Sequence, residues 1–417
     1  MYLVIIYNGE RQVIKKIFFS ISARWTARSM QIVPAQLKTY LKFAGADVDA
    51  LLFFMTLRSC FQRKVPPLSD QSIQPNFAII APAHNEEELI VVTIGKIFKL
   101  DYSADKFSLY VVADNCTDKT AEKAVAAGAK CLTRNDLTAH GRGHALAYAI
   151  ASLKIENWDA ILFLDADSKP ETNYLSIMAK HLANGEKVIQ GRYEVDDPDR
   201  NWFTRLTLTS FVLRNKWVFP AIDSLGITSP LRGSCMCFAG SIIQQLGWGT
   251  HGQTEDLEMT LRLIRAGVRV SYAPLAICYQ HMPLPPTLAN SQRLRWSAGE
   301  SQLRSMLLRH EIPSAVCNGD FRNLAALLFI AAPALSVQLC AALAILILSF
   351  FAGSTLFIIS IAVFLAYAAY FLMGFEKFSF HVLTTLAMIP VFAVWRVLTV
   401  FKAKLFKPSS WVRIPRK

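Results

Sequence analysis

Two carboxylates follow a run of apolar residues in the middle of the chain. Residues 160–164 are all apolar, which is typical of a strand buried on both faces of a sheet, and Asp165 and Asp167 come directly after them. A parallel sheet binds ligands outside the carboxyl ends of its strands. Carboxylate oxygens at that edge would suit Mg²⁺ or Mn²⁺, and either cation can hold a diphosphate. Because Asp is also common in turns, a simple strand-to-turn boundary is the alternative interpretation.

A second acidic group precedes an amphipathic stretch. Glu255 and Asp256 follow Thr254, and the apolar residues of the stretch 257–264 are spaced to fit one face of a helix. The sequence therefore predicts that Asp256 lies at a helix N-terminus, where backbone N–H groups favour the charged carboxylate. Asp is also a favoured N-cap, so a purely structural role at the start of the helix is the competing interpretation.

Strands and helices alternate from residue 76 onward. The predicted strands cover residues 77–81, 109–113, 129–133 and 160–164, and the predicted helices cover residues 87–100, 120–127 and 144–153. This alternation predicts an α/β fold built on a mostly parallel sheet. Polar residues follow the predicted strands, as a nucleotide-binding site at the sheet edge requires.

Composition limits the class of protein. The chain has 417 residues, of which 53% are hydrophobic and 18% charged, and this is too apolar for a purely soluble protein of average composition. The net charge is +13, but no basic run carries a nucleic-acid recognition motif, so no nucleic-acid partner is expected. Basic residues that face anionic membrane lipid explain the excess charge better. The eight cysteines form no C-x-x-C pair, which indicates reduced thiols in a cytosolic compartment.

The C-terminal part of the chain is hydrophobic. Residues 324–351 and 355–375 carry no charge and are long enough to span a bilayer, although Pro333 interrupts the first stretch. A third stretch, residues 380–401, leads into a basic tail. A third crossing would place that tail on the far side from the α/β domain, against the positive-inside tendency. The sequence therefore predicts two crossings and a third, interfacial segment, with a core helical bundle as the alternative.

Five short motifs occur in a fixed order along the chain. They are P-A-H-N-E (82–86), V-V-A-D-N (111–115), D-A-D (165–167), T-E-D (254–256) and Q-R-L-R-W (292–296). In this order they resemble the family 2 glycosyltransferases, and most of all the cellulose synthase-like, exopolysaccharide-forming group. The resemblance covers residues 76 to about 300 and implies a nucleotide-binding domain of the GT-A type.

The resemblance implies a donor site at the ends of the first strands. In the family, the 82–86 loop and the acid at position 114 hold the uridine and its ribose, and the D-A-D motif holds a metal. Arg142 stands where relatives often carry a Lys that faces the nucleotide, although a surface Arg that caps a loop is the alternative. The implied nucleotide-sugar-binding residues are Pro82, Ala83, His84, Asn85, Glu86, Asp114, Arg142 and Asp165, and the implied ligands of Mg²⁺ or Mn²⁺ are Asp167 and Asp165.

The resemblance also implies an acceptor side. It makes Asp256 the base that takes the proton of the attacking acceptor hydroxyl in an inverting transfer. Arg295 would neutralise the leaving diphosphate, and Trp296 would offer its indole face to a pyranose ring. An amphipathic helix that docks on the bilayer is the alternative interpretation of residues 292–296. The implied catalytic residues are Asp256, Arg295, Trp296 and Gln292, and the implied acceptor-binding residues are Gly233, Ser234, Glu255 and Trp296.

Three regions are expected along the chain. Residues 1–75 would form a membrane-associated segment and linker, residues 76–310 a GT-A glycosyltransferase domain, and residues 311–417 transmembrane and interfacial helices. Within the first region, residues 12–30 mix basic and apolar side chains. This mixture suits an amphipathic helix on a membrane surface, or a basic surface helix packed on the main domain.

The expected function is an inverting, metal-dependent transfer of a sugar from a UDP-sugar to a growing exopolysaccharide or a lipid-linked glycan. It would take place at the cytosolic face of the cell (inner) membrane, and membrane lipid and other polysaccharide-assembly proteins are the further expected partners. The alternatives are a transferase that adds a single sugar to a polyprenyl-linked acceptor, and an inactive transferase-like membrane scaffold. Two crossings are too few to line a wide pore, which argues against a transport protein.

Overall fold

An eight-stranded β-sheet forms the framework of this α/β protein. The computed structural model describes residues 74–197, 201–250, 252–281, 286–332, 335–351, 354–375 and scattered positions from 384 to 402. The strands run in the spatial order β3-β2-β1-β4-β7-β6-β8-β5. Their bounds are β1 Phe77–Ala83, β2 Phe107–Asp114, β3 Lys130–Arg134, β4 Ala160–Phe163, β5 Lys169–Pro170, β6 Val188–Asp196, β7 Met236–Ala239 and β8 Val270–His281. Four of the seven neighbouring pairs are parallel, so the predicted α/β fold with a mostly parallel sheet is confirmed.

Helices cover both faces of the sheet and continue into the C-terminal part. Their bounds are α1 Ile90–Ile97, α2 Thr120–Ala126, α3 Arg142–Ser152, α4 Tyr174–Ala183, α5 Trp202–Val212, α6 Phe219–Ser224, α7 Gly240–Leu246, α8 Glu255–Arg265, α9 Pro286–Met306, α10 Ile312–Cys317, α11 Phe321–Ala331, α12 Leu335–Ser349 and α13 Ser354–Leu372. Short 3₁₀ helices cover Ala104–Lys106 and Ile155–Asn157, and π-helical turns cover Leu213–Val218 and Leu307–Glu311.

The strand β1 is buried on both faces, as its apolar sequence predicts. Ile79 belongs to the apolar cluster that includes Ile94 of α1, and Ile80 belongs to the cluster on the other face that includes Leu146 of α3. Alternate side chains of a strand point to opposite faces, so a continuous apolar run serves both clusters. The predicted helix 87–100 is shorter than expected and begins at Ile90, because the chain turns first at Asn85, whose φ is 55°.

The parallel pairing brings the predicted motifs to one edge of the sheet. Pro82 of β1 lies opposite Val112 of β2, and Ile80 lies opposite Phe163 at the end of β4. The residues that follow these strands are therefore neighbours, since parallel strands end at the same edge. This edge carries the P-A-H-N-E loop, Asp114 and the D-A-D turn.

The hydrophobic C-terminal stretches form helices. The first predicted crossing is divided between α11 and α12, because Ala332, which precedes Pro333, has an extended backbone and ends α11. The second predicted crossing coincides with α13. In the described part of the chain, no helix combines the length and the apolar character that a membrane crossing requires, so the predicted spans are not confirmed. The segment 12–30 and most of residues 380–401 lie outside the described residues.

A third apolar cluster joins the C-terminal helices to the α/β domain. Leu327 of α11 and Leu303 of α9 belong to the same buried cluster as Leu261 of α8 and Phe219 of α6. The helix α8, which begins at the T-E-D motif, therefore packs in the same apolar cluster as the part of α9 that follows the Q-R-L-R-W motif.

Two glycines offer a test of how closely the sheet is packed. A Cβ atom on Gly240, the first residue of α7, would lie 2.2 Å from the backbone oxygen of Trp158, whereas a Cβ atom on Gly95 of α1 would meet nothing within 4 Å. We expect Gly240→Ala to lower the free energy of unfolding by about 1–3 kcal/mol through overpacking. Gly95→Ala should raise it by up to about 1 kcal/mol through helix propensity. Urea unfolding followed by circular dichroism checks both, and changes of the same sign would contradict the packing.

Candidate active site

Arg142, the first residue of α3, connects two of the predicted motifs. Its Nε donates to Asp165 Oδ1 at 3.0 Å, and its Nη1 donates to Glu255 Oε1 at 3.0 Å. Its Nη2 is buried and has no hydrogen-bond partner among the residues that the structure describes. Burial works to lower the pKa of Arg142, but Asp165 and Glu255 outweigh it and raise that pKa above its ordinary value. The D-A-D turn and the T-E-D helix therefore share one cation.

The D-A-D turn is held by three separate elements. The backbone N–H of Asp165 lies within hydrogen-bond distance of Ser168 Oγ, at 2.9 Å, and of Ser234 Oγ, at 3.0 Å. Gln280 of β8 donates from Nε2 to Asp165 Oδ2 at 3.2 Å. Ser234 is 1% exposed, and its side chain positions this turn. The predicted contact of Ser234 with an acceptor stays a prediction.

Asp167 lies on another side of the same turn. It is buried, and it lines a small pocket together with Lys169 and residues in the first turn of α1. In that turn, Thr93 donates from Oγ1 to the carbonyl oxygen of Ala166 at 2.7 Å. The two carboxylates of the D-A-D motif therefore have different neighbours: Asp165 contacts Arg142, and Asp167 faces α1.

Asp114, at the end of β2, forms a buried ion pair. Its Oδ1 accepts from Arg134 Nη1 at 2.6 Å and from Asn115 Nδ2 at 3.2 Å. The side chains of Arg134 and Asp114 are only 8% and 9% exposed. Arg134 also pairs with Asp136 at 2.9 Å, and His84 Nδ1 lies 2.7 Å from the backbone oxygen of Asp114. The predicted donor-site acid is thus fixed in orientation by an arginine that ends the neighbouring strand β3.

The P-A-H-N-E loop is fastened to the loop that follows β2. Asn85 Oδ1 accepts from the backbone N–H of Thr117 at 2.7 Å, and the backbone N–H of Glu86 donates to Thr120 Oγ1 at 2.8 Å. The left-handed backbone at Asn85 is a conformation that Asn tolerates better than most residues. These hydrogen bonds fix the position of the P-A-H-N-E loop, and Asn85 makes one of them.

The segment that leads into β7 passes directly beside Asp256. Cys235 has a φ of 61°, so the backbone is strained at this residue, whereas Gly233, with a φ of 80°, adopts the left-handed region without that cost. Gln190 holds the segment, since its Nε2 donates to the Ser234 oxygen at 2.9 Å and its Oε1 accepts from the Arg232 N–H at 2.8 Å. A Cβ atom on Gly233 would lie only 3.6 Å from Asp256 Oδ2. Gly233 thus leaves the face of the Asp256 carboxylate accessible.

Asp256 lies in the first turn of α8. The N-cap position is Thr254, so the interpretation of Asp256 as the N-cap is wrong. Its Oδ1 accepts from the backbone N–H of Leu257 at 2.8 Å. Burial, and next the neighbouring Glu255, raise the pKa of Asp256 to about 7, although Leu257 and nearby arginines work in the opposite direction. A carboxyl with this pKa can exchange a proton near neutral pH.

The Q-R-L-R-W motif lies on α9, which packs against the T-E-D motif. A Cβ atom on Gly299 would lie 2.7 Å from Thr254 Cγ2, so the two segments approach to backbone contact. Trp296 is half-buried. The side chains of Gln292 and Arg295 lie outside the described set, so their predicted roles stay predictions.

Comparison with known proteins decides the family. Residues 160–395 match the model described as "Glycosyl transferase family group 2", and residues 78–239 match "Glycosyl transferase family 2". The first match covers more than half of the chain. The chain belongs to the family 2 glycosyltransferases. The resemblance that the five motifs indicated is confirmed.

Several curated relatives share part of this transferase sequence. The "Probable glycosyltransferase YdaM" of Bacillus subtilis (strain 168) is 28% identical over 57% of this chain and 59% of its own length. The cellulose synthase 1 catalytic subunit (UDP-forming) of Komagataeibacter xylinus is 26% identical over 61% of this chain and 34% of its own. The poly-beta-1,6-N-acetyl-D-glucosamine synthase of Staphylococcus aureus (strain COL) is 24% identical over 60% of this chain and 61% of its own length. The chain therefore spans less than two thirds of each relative.

A solved structure shares the fold. The mannosyltransferase PcManGT from Pyrobaculum calidifontis, solved in complex with GDP-Man and Mn²⁺, gives a TM-score of 0.53 at 17% identity, over 88% of this chain and 98% of that one. At this identity the likeness concerns the fold alone. It confirms the predicted GT-A type of this transferase domain.

The D-A-D motif offers the kind of ligand that a hard cation prefers. Among the described residues, no group of three or more His, Cys, Asp or Glu side chains is arranged to hold a metal ion. Mg²⁺ in phosphate-transfer sites is usually held by one or two carboxylates plus phosphates of the substrate. Asp165 and Asp167 fit that arrangement. Asp167, the predicted direct ligand, is buried in this turn, and its role stays a prediction.

Four side chains of the site were not predicted. They are Arg134, which pairs with Asp114, Gln280, which donates to Asp165, and Gln190 and Arg232 beside the strained segment. Arg134 carries a sequence signal, since it directly follows a predicted strand, and so does Arg232, which directly precedes the predicted acceptor-binding residue Gly233. Gln190 and Gln280 reach the site from β6 and β8, and nothing in their local sequence marks them.

Replacing Arg134 by Met would leave the buried carboxylate of Asp114 without its cation. We expect the free energy of unfolding to fall by about 3–5 kcal/mol, because an unpaired buried charge is costly. Lys123→Met is the matched control, since it breaks an ion pair with Glu87 whose side chains are 41% and 34% exposed. That change should cost less than about 1 kcal/mol. Urea unfolding measures both, and equal losses would contradict the assignment of a buried pair.

Proposed function

We propose that this chain is an inverting glycosyltransferase that moves a sugar from a UDP-sugar to a growing exopolysaccharide or a lipid-linked glycan, with Mg²⁺ or Mn²⁺ as cofactor. The observation that carries the proposal is Arg142. It joins the D-A-D turn to the T-E-D helix and keeps one buried Nη2 without a partner. A buried N–H group with this charge suits an oxygen of the donor's diphosphate, because guanidinium–phosphate hydrogen bonds are among the strongest in proteins.

Asp256 supplies the base in this proposal. As a carboxylate it takes the proton of the acceptor hydroxyl while the hydroxyl oxygen attacks the anomeric carbon and the bond to the nucleoside diphosphate breaks. A divalent cation, when bound beside Asp167, would neutralise charge that develops on the leaving diphosphate. Gly233 lets the acceptor approach, since a larger residue would place its Cβ 3.6 Å from the Asp256 carboxylate.

The acceptor class and the location rest on different observations. Two of the curated relatives bear the names of polysaccharide synthases, and the cellulose synthase subunit is named UDP-forming. Exposed apolar side chains on α12 and α13 support contact with a membrane. These side chains are Leu343, Ile345, Ile347, Leu348, Ile358, Ile359 and Leu365. We place the catalytic domain on the cytosolic face, where UDP-sugars are made.

Product analysis separates this function from its alternatives. Purified protein in detergent would be incubated with a panel of UDP-sugars and GDP-mannose in Mg²⁺ or Mn²⁺, and released UDP or GDP would be measured. We expect release from one UDP-sugar and a product in which the anomeric configuration is inverted. A product with one added sugar would favour single addition to a polyprenyl-linked acceptor. No release from any donor would favour the inactive scaffold.

Asp256→Asn separates catalysis from donor binding. The change removes the base but leaves Arg142 and its partners in place, so the affinity for the UDP-sugar should stay within a few-fold. Turnover should fall by about two to four orders of magnitude, which is the usual contribution of a positioned base. Asp320→Asn is the matched control, because Asp320 lies outside the motifs. Its Oδ1 caps α11 by accepting a hydrogen bond from the backbone N–H of Asn323 at 3.2 Å. A near wild-type rate in Asp256→Asn would remove this residue from the mechanism.

Asp167→Asn tests the proposed metal ligand. The variant keeps the size of the side chain and loses the charge that attracts the cation. We expect the stimulation of UDP release by Mn²⁺ to disappear, with little change in the midpoint of thermal unfolding. Asp101→Asn, at an exposed position, should keep the stimulation. Unchanged stimulation of Asp167→Asn at limiting Mn²⁺ would show that this residue holds no metal.

A further inference from the structure

Arg232 is a cation without an acidic partner beside the candidate base. It is half-buried, and its guanidinium stands over the ring of Tyr193, 6.0 Å from the ring centroid. Its Nη2 donates to Tyr193 Oη at 3.3 Å. Within the part of the chain that the structure describes, no carboxylate oxygen lies within 4.0 Å of its guanidinium nitrogens. Tyr193 therefore positions this charge without neutralising it.

Several other arginines of the domain are paired with carboxylates: Arg134 with Asp114 at 2.6 Å, Arg142 with Asp165 at 3.0 Å, and Arg192 with Glu194 at 2.6 Å. Arg262 and Arg304 have no carboxylate partner among the described residues, but they donate to the backbone oxygens of Leu246 at 2.7 Å and Ala331 at 2.6 Å. Taking a charge out of water is costly unless a partner of opposite charge compensates it. The unpaired state of Arg232 is therefore a feature to explain, and a ligand that brings a negative group explains it.

Arg232 lies in the segment that passes beside the candidate base. It directly precedes Gly233, which adjoins the Asp256 carboxylate, and it contacts Tyr193 of β6. Burial works to lower the pKa of Arg232, but Tyr193 and the acidic residues Asp256 and Glu300 of α9 raise it, so the group stays charged. Arg142, in contrast, contacts the D-A-D turn. The two cations near Asp256 thus have different partners, the D-A-D turn for Arg142 and Tyr193 for Arg232.

The geometry points to a specificity role. We propose that Arg232 binds an anionic group of the acceptor, a phosphate or a carboxylate, next to the hydroxyl that Asp256 deprotonates. This inference rests on the proposed transferase function and adds the chemical class of its acceptor. The planar guanidinium can hold either anion through two parallel N–H groups, which an ammonium cannot do. Tyr193 supports that plane, and Phe211 packs edge-on against its ring at 5.0 Å.

The test measures binding of three related sugars to the full chain saturated with UDP. Glucose 1-phosphate and glucuronate carry the two candidate anions, and glucose is the neutral match. We expect glucose 1-phosphate, glucuronate or both to bind about tenfold or more tightly than glucose. A difference of this size is the effect of one charge-assisted hydrogen bond. Arg232→Gln should abolish this preference and leave the affinities for glucose and UDP within about twofold. Arg232→Lys should retain part of it, since the charge remains.

The outcomes separate this inference from the proposed function. A preference for the phosphate or for the carboxylate identifies the source of the anion, and either supports the role of Arg232. Equal binding of all three sugars to the wild-type chain would overturn the role, whatever the variants do. A preference for the anionic sugars that survives in Arg232→Gln would also overturn the role. The role would likewise be overturned if Arg232→Gln changed only the pH dependence of UDP release and left the binding of all three sugars unchanged. Failure of the transferase function itself would appear separately, as absence of UDP release from every donor.

Discussion

The guanidinium of Arg142 donates to Asp165 and to Glu255, and the site depends on these two contacts. They join segments that are 23 and 113 residues away from Arg142 along the chain. Pairing offsets part of the cost of taking these charges out of water, and it holds the D-A-D turn and the T-E-D helix together in the folded state. The same two contacts occupy two of the three guanidinium nitrogens and fix the orientation of the third, which is buried. The position of the T-E-D helix, and with it that of Asp256, thus depends on one ion-pair network.

The sheet provides the rigid edge on which this network is built. Three parallel strands deliver the P-A-H-N-E loop, Asp114 and Asp165 to the same side, and the antiparallel β7 next to β4 brings the strained segment with Gly233 beside them. The described left-handed residues other than glycine lie in loops and not in strands, at Asn85, Asn115, Asp197 and Cys235. Strain of this kind persists only when the surroundings hold it, and here Gln190 and the β2–α2 loop do so. The loops therefore combine close approach to a ligand with little freedom to move.

Much of the fold was predictable because its signals are local. The apolar run 77–81 and its successors predicted the strands, and the motif order predicted the family. Contacts between residues distant in sequence could not be predicted: Gln280 reaches Asp165 from 115 residues away, and Tyr193 contacts Arg232 from 39 residues away. The first predicted crossing failed for a local reason. Hydropathy predicted one segment over residues 324–351, but the residue before Pro333 prefers an extended backbone, and this divides the segment into two helices.

The pH dependence of transfer tests the central claim most directly. Burial and Glu255 raise the pKa of Asp256 to about 7, so below that pH the carboxyl is protonated and cannot accept the acceptor's proton. A UDP-sugar is a diphosphate diester with no proton to lose between about pH 5 and pH 8, so the donor should not contribute to the profile. We predict that kcat/KM falls about tenfold for each pH unit below 7 and is level above it. A kcat/KM that is constant from about pH 5 to pH 8 would contradict the assignment of Asp256 as the base.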